Sequence, residues 1–142
     1  MVRIRYLLNS KDPTIWTIGP EDPVLEAIQL MADKRIGALP VLRDNELVGI
    51  VSERDYARKV ILMGRSSSDT PVWQIMSSPV VTASPDDDVH RCMEVMTEKR
   101  IRHLPVVERG RMIGIISIGD LVKAVIDEQQ QTIDHLERYI AG

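Results

Sequence analysis

Apolar and polar positions along the chain repeat with the period of an α-helix in two stretches. Both stretches place apolar residues at i, i+3, i+4 and i+7: Val24, Ala27, Ile28 and Met31 in the first, and Val89, Cys92, Met93 and Met96 in the second. Such spacing lines one face of a helix, so the sequence predicts two amphipathic helices with that face toward a core. Cys92 is therefore interpreted as a small buried residue.

Shorter apolar runs follow each predicted helix and predict β-hairpins. ALPVL and ELVGIVS follow the first helix, and HLPVV and RMIGIIS follow the second. Runs of this length and composition are typical of strands, and the polar triplets RDN and ERG between them favour turns. With short strands predicted at residues 14–18 and 80–83, and closing helices over RDYARKVILM and GDLVKAVIDE, each half of the chain predicts a β-α-β-β-α unit.

The two halves are copies of one another at a fixed distance along the chain. Identical residues recur 65 positions apart without a gap, among them Thr17 and Thr82, Pro40 and Pro105, Gly49 and Gly114, and Asp55 and Asp120. An internal repeat of this kind indicates one supersecondary plan used twice. It divides the chain into an N-terminal segment at 1–13, a first repeat at 14–63, a linker at 64–78, a second repeat at 79–127 and a C-terminal helical tail at 128–142.

Signals at the ends of the helices extend this prediction. In SPDD, Ser84 is a suitable N-cap and Pro85 suits the first helical position, so we expect the helix of the second repeat to begin there, with GPED as its counterpart. Residues 4–8 predict a short helix, and the serines at 66–68 predict an exposed linker. An apolar edge predicts a long final helix that packs on the body or on a second subunit, and it comprises Ile126, Ile133, Leu136 and Ile140.

Composition narrows the class of protein. The 142 residues are 44% hydrophobic and 27% charged, as in ordinary globular domains. No apolar run approaches the roughly 20 residues that a membrane helix needs, and the start lacks the features of a secretory signal. With Cys92 as its one cysteine, we expect a cytoplasmic protein without an internal disulfide. The net charge of −3 argues against electrostatic binding of nucleic acid.

One motif in the repeats carries candidate chemistry. Both hairpins end in Gly-x-x-Ser-x-x-Asp, as GIVSERD at 49–55 and GIISIGD at 114–120. Serine and aspartate three residues apart before an apolar helix are one form of capping box, with the serine as N-cap. The same carboxylate can also accept hydrogen bonds from two adjacent hydroxyl groups, which suits a sugar ligand. Helix capping, ligand binding and a combination of both stay open on the motif alone.

The chain resembles the tandem CBS-domain pair, or Bateman module, over nearly its full length. The resemblance lies in the two Gly-x-x-Ser-x-x-Asp motifs, in IGALPV and IRHLPV, and in WQIMSSPVVTASP before the second repeat. It implies a stand-alone bacterial member with a mixed α/β (α+β) fold of two repeats packed with pseudo-twofold symmetry. It also implies a non-catalytic sensor that commonly dimerises as a flat disc and binds an adenine-containing nucleotide, AMP, ADP, ATP or NAD, in the cleft between the repeats. An unidentified regulated protein would read the resulting rearrangement.

The resemblance also assigns candidate ligand contacts residue by residue. Ribose contacts would come from Asp55 with Ser52 and from Asp120 with Ser117. Base and phosphates would be lined by the residues at and before the two Leu-Pro pairs: Gly37, Ala38, Leu39 and Pro40, and Arg102, His103, Leu104 and Pro105. Further contacts would be Arg54 on phosphate, Gly119 as a point of close approach, and Thr17, Ile18, Thr82 and Ala83 against base or ribose. Because only the second repeat offers Arg102 and His103, the two sites are expected to differ.

Two other classes of function have less support from the sequence. An enzyme is not indicated, because the chain has no supported Ser-His-Asp order, metal cluster, Walker loop or GxGxxG after a strand, and no catalytic or metal-binding residue is expected. A structural or nucleic-acid-binding scaffold would use the repeated basic pairs Lys34-Arg35 and Lys99-Arg100. Without the family resemblance, Arg102 and His103 are interpreted as part of a solvated turn.

Overall fold

The computed structural model describes residues 1–141 as two compact units of mixed α/β structure. The first-repeat unit contains residues 15–81, and the second-repeat unit contains residues 82–141 together with residues 1–14. Each unit contains an antiparallel two-stranded hairpin with helices before and after it. The predicted fold class is confirmed, and the N-terminal segment packs with the second repeat.

The elements repeat in the same order in both units. In chain order they are α1 (Ile4–Asn9), α2 (Val24–Lys34), β1 (Ala38–Arg43), β2 (Glu46–Ser52), α3 (Glu53–Tyr56), α4 (Val89–Lys99), β3 (His103–Glu108), β4 (Arg111–Ser117) and α5 (Ile118–Ala141). A π-helical turn, Ala57–Ile61, continues α3, and a 3₁₀ turn, Val72–Gln74, precedes the second repeat. The predicted amphipathic helices are α2 and α4, and α1 is the short helix predicted near the start of the chain.

The predicted hairpins are confirmed, with two-residue turns. Asp44 and Asn45 have φ angles of 51° and 66°, and Arg109 and Gly110 have φ angles of 53° and 77°. Left-handed φ at both central residues is the geometry of a type I′ turn, whose twist matches that of the flanking strands. The register places Ala38 opposite Ser52 in one unit and His103 opposite Ser117 in the other.

The short strands predicted before the helices are reduced to single bridges, so that prediction was wrong. Ile18 donates its N–H to the Pro40 carbonyl at 3.1 Å and accepts from the Leu42 N–H at 3.0 Å, and Ala83 makes the equivalent contacts. In a parallel pair the next donor on this side would be residue 20, which is proline and has no N–H. Pro85 stands at the same place in the second repeat. The ladder therefore stops after one residue.

The two amphipathic helices begin four residues later than predicted. Between Ser84 and Asp87 the chain forms a separate turn, in which the Asp87 carboxylate accepts the Ser84 N–H at 2.8 Å and the Asp87 N–H donates to the Ser84 carbonyl at 3.0 Å. Gly19 and Asp22 make the same turn in the first repeat. Because an aspartate that bonds to a nearby backbone N–H stabilises a local turn, α2 and α4 begin only at Val24 and Val89.

Each unit has its own core, built from matching positions of the two repeats. In the first unit it includes Val24, Ala27, Met31, Leu39, Val41 and Val51, and in the second Val89, Cys92, Met96, Leu104, Val106 and Ile116. The interpretation of Cys92 as a buried residue is confirmed, and burial raises the pKa of its thiol to about 11. The thiol is therefore protonated at neutral pH, which makes it a poor nucleophile.

Two segments outside the repeats cover these cores in the same way. We call residues 2–8 and 70–76 the cover segments. Ile4 of the first donates its N–H to the Asp87 carbonyl at 2.9 Å, and Val72 of the second donates to the Asp22 carbonyl at 2.9 Å. Val72 and Ile4 are both fully buried. The expected linker therefore includes a packed segment, while the exposed serines are Ser66 and Ser68.

The second repeat ends in one continuous helix. The predicted long final helix is confirmed: α5 runs for 24 residues, whereas α3 and its π-helical turn end at Ile61. The predicted apolar edge is exposed, with 46% of Ile133, 57% of Leu136 and 83% of Ile140 accessible to solvent. Of the two expected alternatives, packing on the body of the same chain is therefore not observed, and packing on a second subunit stays a prediction. Within residues 1–141, no helix has both the length and the apolar character required to cross a membrane.

Candidate functional site

The motif of the first repeat forms a capping box at the start of α3. The Asp55 N–H donates to Ser52 Oγ at 3.1 Å, and the Ser52 N–H donates to Asp55 Oδ2 at 2.9 Å. The Ser52 hydroxyl also donates to this Oδ2 at 3.0 Å. These reciprocal bonds satisfy backbone donors at the helix start and fix the position of the Asp55 carboxylate.

The motif of the second repeat is built in the same way at the start of α5. The Asp120 N–H donates to Ser117 Oγ at 3.2 Å, and the Ser117 N–H donates to Asp120 Oδ2 at 2.8 Å. The capping interpretation is thus confirmed in both repeats. About a quarter of the Asp120 side chain, 26%, stays exposed, compared with 15% for Asp55. Both carboxylates therefore cap a helix and still meet solvent.

Each motif aspartate also faces a lysine. Lys59 lies 3.3 Å from Asp55 Oδ1, four residues further along the same helical segment, and donates to the Ile75 carbonyl at 2.9 Å. Lys11 lies 2.6 Å from Asp120 Oδ2 and donates to the carbonyl of Ile115 in β4 at 2.8 Å. An ammonium beside a partly buried carboxylate stabilises its charged form. The two lysines have the same kind of partners, although they come from different parts of the chain.

Two pKa values near the second motif lie below their ordinary values, that of His103 mainly because of burial and that of Asp120 because of hydrogen bonds. Burial raises the pKa of Asp120, but hydrogen bonds from Lys11 and Ser117 lower it by more, so its pKa lies below the ordinary value. Burial lowers the pKa of His103, Asp120 raises it, and Lys11 and Arg102 lower it, with a net downward shift. At neutral pH Asp120 is therefore ionised and His103 is neutral. The site combines a fixed anion with a neutral imidazole.

The residues predicted just before the Leu-Pro pairs lie at the same end of each hairpin as the motif. The Gly37 carbonyl accepts the Glu53 N–H at 3.1 Å, and the Arg102 carbonyl accepts the Ile118 N–H at 2.9 Å. Each contact joins the start of a hairpin to the first residue of the closing helix. Within each unit the structure thus brings together the predicted sets Gly37, Ala38, Ser52 and Asp55, and Arg102, His103, Ser117 and Asp120. Arg54 and Arg102 are exposed.

The other predicted contact residues lie further along the strands or inside the core. Thr17 and Thr82 precede the bridge residues Ile18 and Ala83, and Thr82 is the more exposed of the two threonines. Buried side chains among the predicted set are Ile18, Ala38, Leu39, Pro40, Ala83, Leu104 and Pro105. The carbonyls of Pro40 and Pro105 already accept hydrogen bonds from Ile18 and Ala83. Because they are buried and their carbonyls are partly paired, these residues offer few free groups to a ligand.

Protein atoms approach most closely at the first glycine of each motif, whereas close approach of a ligand at Gly119 stays a prediction. A Cβ at Gly119 would meet only Ser117 Oγ, at an ordinary 3.6 Å. A Cβ at Gly114 would lie 2.6 Å from Leu8 Cδ2 of α1, and one at Gly49 would lie 2.9 Å from Met76 Cγ. Gly114 and Gly49 therefore allow the two cover segments to pack against the hairpins.

Sequence reasoning missed Lys11, Lys59 and the equivalence of the cover segments. Lys59 could have been found, because a lysine four residues after an aspartate on a helix is a common ion pair. The cover segments share an apolar pattern at an offset of 68, with Ile4 matching Val72 and Leu7 matching Ile75. Because the repeats themselves align at an offset of 65 residues, an ungapped comparison at that offset does not align the cover segments. No local pattern connects Lys11 with Asp120, which are more than one hundred residues apart.

The basic residues of the scaffold hypothesis are partly used inside the fold. Lys34 lies over the ring of Trp16, 4.3 Å from its centroid. Arg35 and Arg100 end α2 and α4 in the left-handed conformation, with φ angles of 55° and 56°. In the part of the chain that the structure describes, no three His, Cys, Asp or Glu side chains cluster as metal ligands.

Comparison with known proteins identifies the family. The family model of the CBS domain matches the chain twice, at residues 8–61 and 72–127. The Arabidopsis thaliana protein "CBS domain-containing protein CBSX3, mitochondrial" is 43% identical over 127 residues, which cover 86% of this chain and 62% of that protein. The chain thus spans less than two thirds of this relative. The Bacillus subtilis CBS domain-containing protein YhcV is 33% identical over 105 residues, or 74% of each protein.

A solved structure agrees with this match. It is that of a protein with CBS domains from Burkholderia ambifaria MC40-6, with a TM-score of 0.87 and 49% sequence identity. The match covers 90% of this chain and 96% of the Burkholderia chain. With both repeats matched by one family model and the fold matched over nearly its full length, the chain belongs to the CBS-domain family as a tandem pair of CBS domains.

Proposed function

We propose that this CBS pair is a non-catalytic regulatory module that binds an adenine-containing nucleotide, AMP, ADP, ATP or NAD, through Asp55 and Asp120. Binding would change the arrangement of the protein, and a regulated partner protein would read that change. A regulatory role is supported by the similar Burkholderia protein, whose description refers to signal transduction. The choice of adenine rests on the resemblance to the family.

The observation that carries the proposal is that each repeat holds one aspartate carboxylate in place and leaves it partly exposed. Ser52 and Ser117 hold Asp55 and Asp120 through backbone N–H groups at 2.9 and 2.8 Å. A carboxylate that is already ordered loses little conformational entropy when a ligand binds. Its charged oxygens form strong hydrogen bonds with the two hydroxyl groups of a ribose. Helix capping and sugar binding are compatible roles of one side chain.

The direct test is a thermal-shift screen with AMP, ADP, ATP and NAD, with guanine nucleotides as controls, followed by calorimetry. Ligand at about 100 times its dissociation constant adds about 2.7 kcal/mol to the stability of the folded state. For a chain of this size that corresponds to a shift of several degrees. No shift with any adenine nucleotide on folded protein would contradict the proposal and leave the motif as a helix cap within a scaffold.

Variants at the motif acids connect binding with the site. Asp55→Asn together with Asp120→Asn retains an oxygen that can accept the serine N–H but removes the charge, so we expect affinity to fall at least about tenfold. Asp22→Asn together with Asp87→Asn is the matched control. Asp22 and Asp87 make the same kind of backbone contact, at 2.8 Å each, outside the motif. Equal losses of affinity in both double variants would contradict the assignment of Asp55 and Asp120 as ligand contacts. Conversion of the nucleotide to a product at a rate that scales with protein concentration would contradict the non-catalytic role.

The exposed edge of α5 favours an additional role in self-association. Ile133 and Leu136 lie one helical turn apart and are 46% and 57% exposed. Apolar side chains repeated along one helix edge are typical of a helix that pairs with another. We propose that two copies of the protein associate through this edge, as a homodimer.

A further inference from the structure

The two motif aspartates have similar counterions that reach them by different routes. Lys59 belongs to the π-helical turn that continues α3, so it moves with Asp55. The equivalent of Lys59 in the second repeat is Ala124, which carries no charge. Asp120 receives its ammonium from Lys11, two residues after the C-terminal end of α1. A segment outside the second repeat therefore supplies the cation that the repeat itself lacks.

Lys11 uses the same oxygen of Asp120 as the helix cap does. Asp120 Oδ2 accepts the Ser117 N–H at 2.8 Å and the Lys11 ammonium at 2.6 Å. A carboxylate oxygen has two lone pairs in its plane, so these two donors fill the favourable positions on Oδ2. Two adjacent sugar hydroxyl groups that bind both carboxylate oxygens need one of those positions. The Ser117 N–H is fixed by the backbone, so Lys11 is the donor that must leave.

Lys11 is also an anchor for the N-terminal segment. Its ammonium donates to the Ile115 carbonyl at 2.8 Å, and its backbone N–H donates to the Leu8 carbonyl at 3.4 Å. Lys11 and Asp120 line an open groove of about 910 Å³ between α1 and α5. This groove gives a ligand access to Asp120 and gives the displaced lysine side chain room to move. Displacement of the ammonium would break a contact that holds the end of α1 against β4.

The first repeat lacks this arrangement. Lys59 faces Asp55 Oδ1, the other carboxylate oxygen, at the longer distance of 3.3 Å. The second donor on Asp55 Oδ2 is the Ser52 hydroxyl, which can rotate to another acceptor without moving the chain. A ligand can therefore bind Asp55 without displacing a lysine from another segment of the chain.

We propose that Lys11 and the sugar hydroxyls of the nucleotide compete for Asp120, so that occupancy of the second repeat weakens the attachment of the N-terminal segment at the end of α1. This rests on the proposed nucleotide binding. The two effects are reciprocal. If the nucleotide weakens the contact of Lys11 with Asp120 by a given factor, that contact lowers the nucleotide affinity of the second repeat by the same factor. Asp55 carries no equivalent coupling, and the two repeats respond differently to one ligand.

The test is calorimetry with AMP and NAD in variants that isolate each repeat. In Asp55→Asn, which leaves the second repeat active, the further change Lys11→Met removes the ammonium and keeps an apolar stem, and we expect affinity to rise at least about fivefold. Lys11→Arg in the same background keeps the charge and should give no gain. Lys59→Met in Asp120→Asn is the matched control for the first repeat, with an expected change under about twofold.

Hydrogen exchange gives a second readout that does not depend on affinity. Nucleotide should speed amide exchange at residues 4–11 in Asp55→Asn and leave these amides unchanged in Asp120→Asn. Unaltered or lower affinity in Lys11→Met, with binding intact in the parent variant, would overturn the competition alone. Equal gains from Lys11→Met and Lys59→Met would also overturn it. Absence of binding in every variant and in the wild-type protein would overturn both this proposal and the proposed function.

Discussion

The two repeats share their backbone geometry, and they differ in what surrounds the motif aspartate. In the first repeat, Asp55 meets a lysine of its own helical segment, and an alanine precedes the Leu-Pro pair. In the second, Asp120 meets Lys11 from the N-terminal segment, and His103 stands where the first repeat has Ala38. The duplication therefore preserved the capping box but not its electrostatic surroundings. Equal motifs in a repeated chain do not imply equal sites.

The largest effect is expected where the repeats are most alike, in their cores. Leu39 and Leu104 are equivalent and almost completely buried, at 0% and 1% exposure. Leu39→Ala and Leu104→Ala should each lower the free energy of unfolding by about 2 to 5 kcal/mol, because each leaves a cavity. Urea denaturation of both variants measures this. A difference between them above about 2 kcal/mol would show that the two cores are packed differently.

A smaller effect is expected where each cover segment meets its hairpin. Gly114→Val would place a side chain against Leu8, and Gly49→Val would do so against Met76. Overpacking of this kind costs about 1 to 3 kcal/mol, and thermal unfolding should register the loss.

Gly119→Ala is the matched control for these variants, since a Cβ there meets nothing closer than 3.6 Å. It should leave stability unchanged or raise it by up to about 1 kcal/mol, because alanine is the better helix former. If the control were as destabilising as Gly114→Val, the contact with Leu8 would not explain the effect.

The pH dependence of stability should distinguish His103 from Ala38. The pKa of His103 is lowered in the folded protein, so its contribution to stability is present above its unfolded pKa of about 6.5 and is lost as pH falls toward the folded pKa. The loss is about 1.4 kcal/mol for each unit between the two pKa values. His103→Ala gives the second repeat the residue of the first and should flatten the stability curve below about pH 6.5. Urea denaturation at a series of pH values checks this, and an unchanged slope would contradict it.

The smallest effect on folding is expected at the exposed edge of α5. Ile133→Glu with Leu136→Glu should change the stability of the protomer by less than about 0.5 kcal/mol, because both side chains are partly exposed. The same double variant should lower the molar mass measured by light scattering if the edge joins two copies. Ile61→Glu is the control, because Ile61 is 59% exposed at the end of the shorter first-repeat helix. An unaltered molar mass in the double variant would contradict self-association through α5.

Much of the fold could be predicted because it depends on neighbouring residues. The apolar stripe at Val24, Ala27 and Met31 specifies the buried face of α2, and the capping box depends on Ser52 and Asp55, three residues apart. Two errors also have local causes. Asp22 and Asp87 close turns of their own before the helices, and the missing N–H groups of Pro20 and Pro85 end the first strands.

The repeat, the helices, the hairpins and the position of each motif aspartate could be predicted from the amino-acid sequence, because hydrogen bonds and apolar faces within a few residues specify them. Two contacts are visible only in the folded chain: residues 2–8 cover the second repeat, and Lys11 contacts Asp120. Such contacts depend on the path of the chain over a hundred residues. The sequence contains 18 lysines and arginines, and each of them has the positive charge that could pair with Asp120. Packing of α1 against Gly114 selects Lys11, because it brings the end of that helix to Asp120.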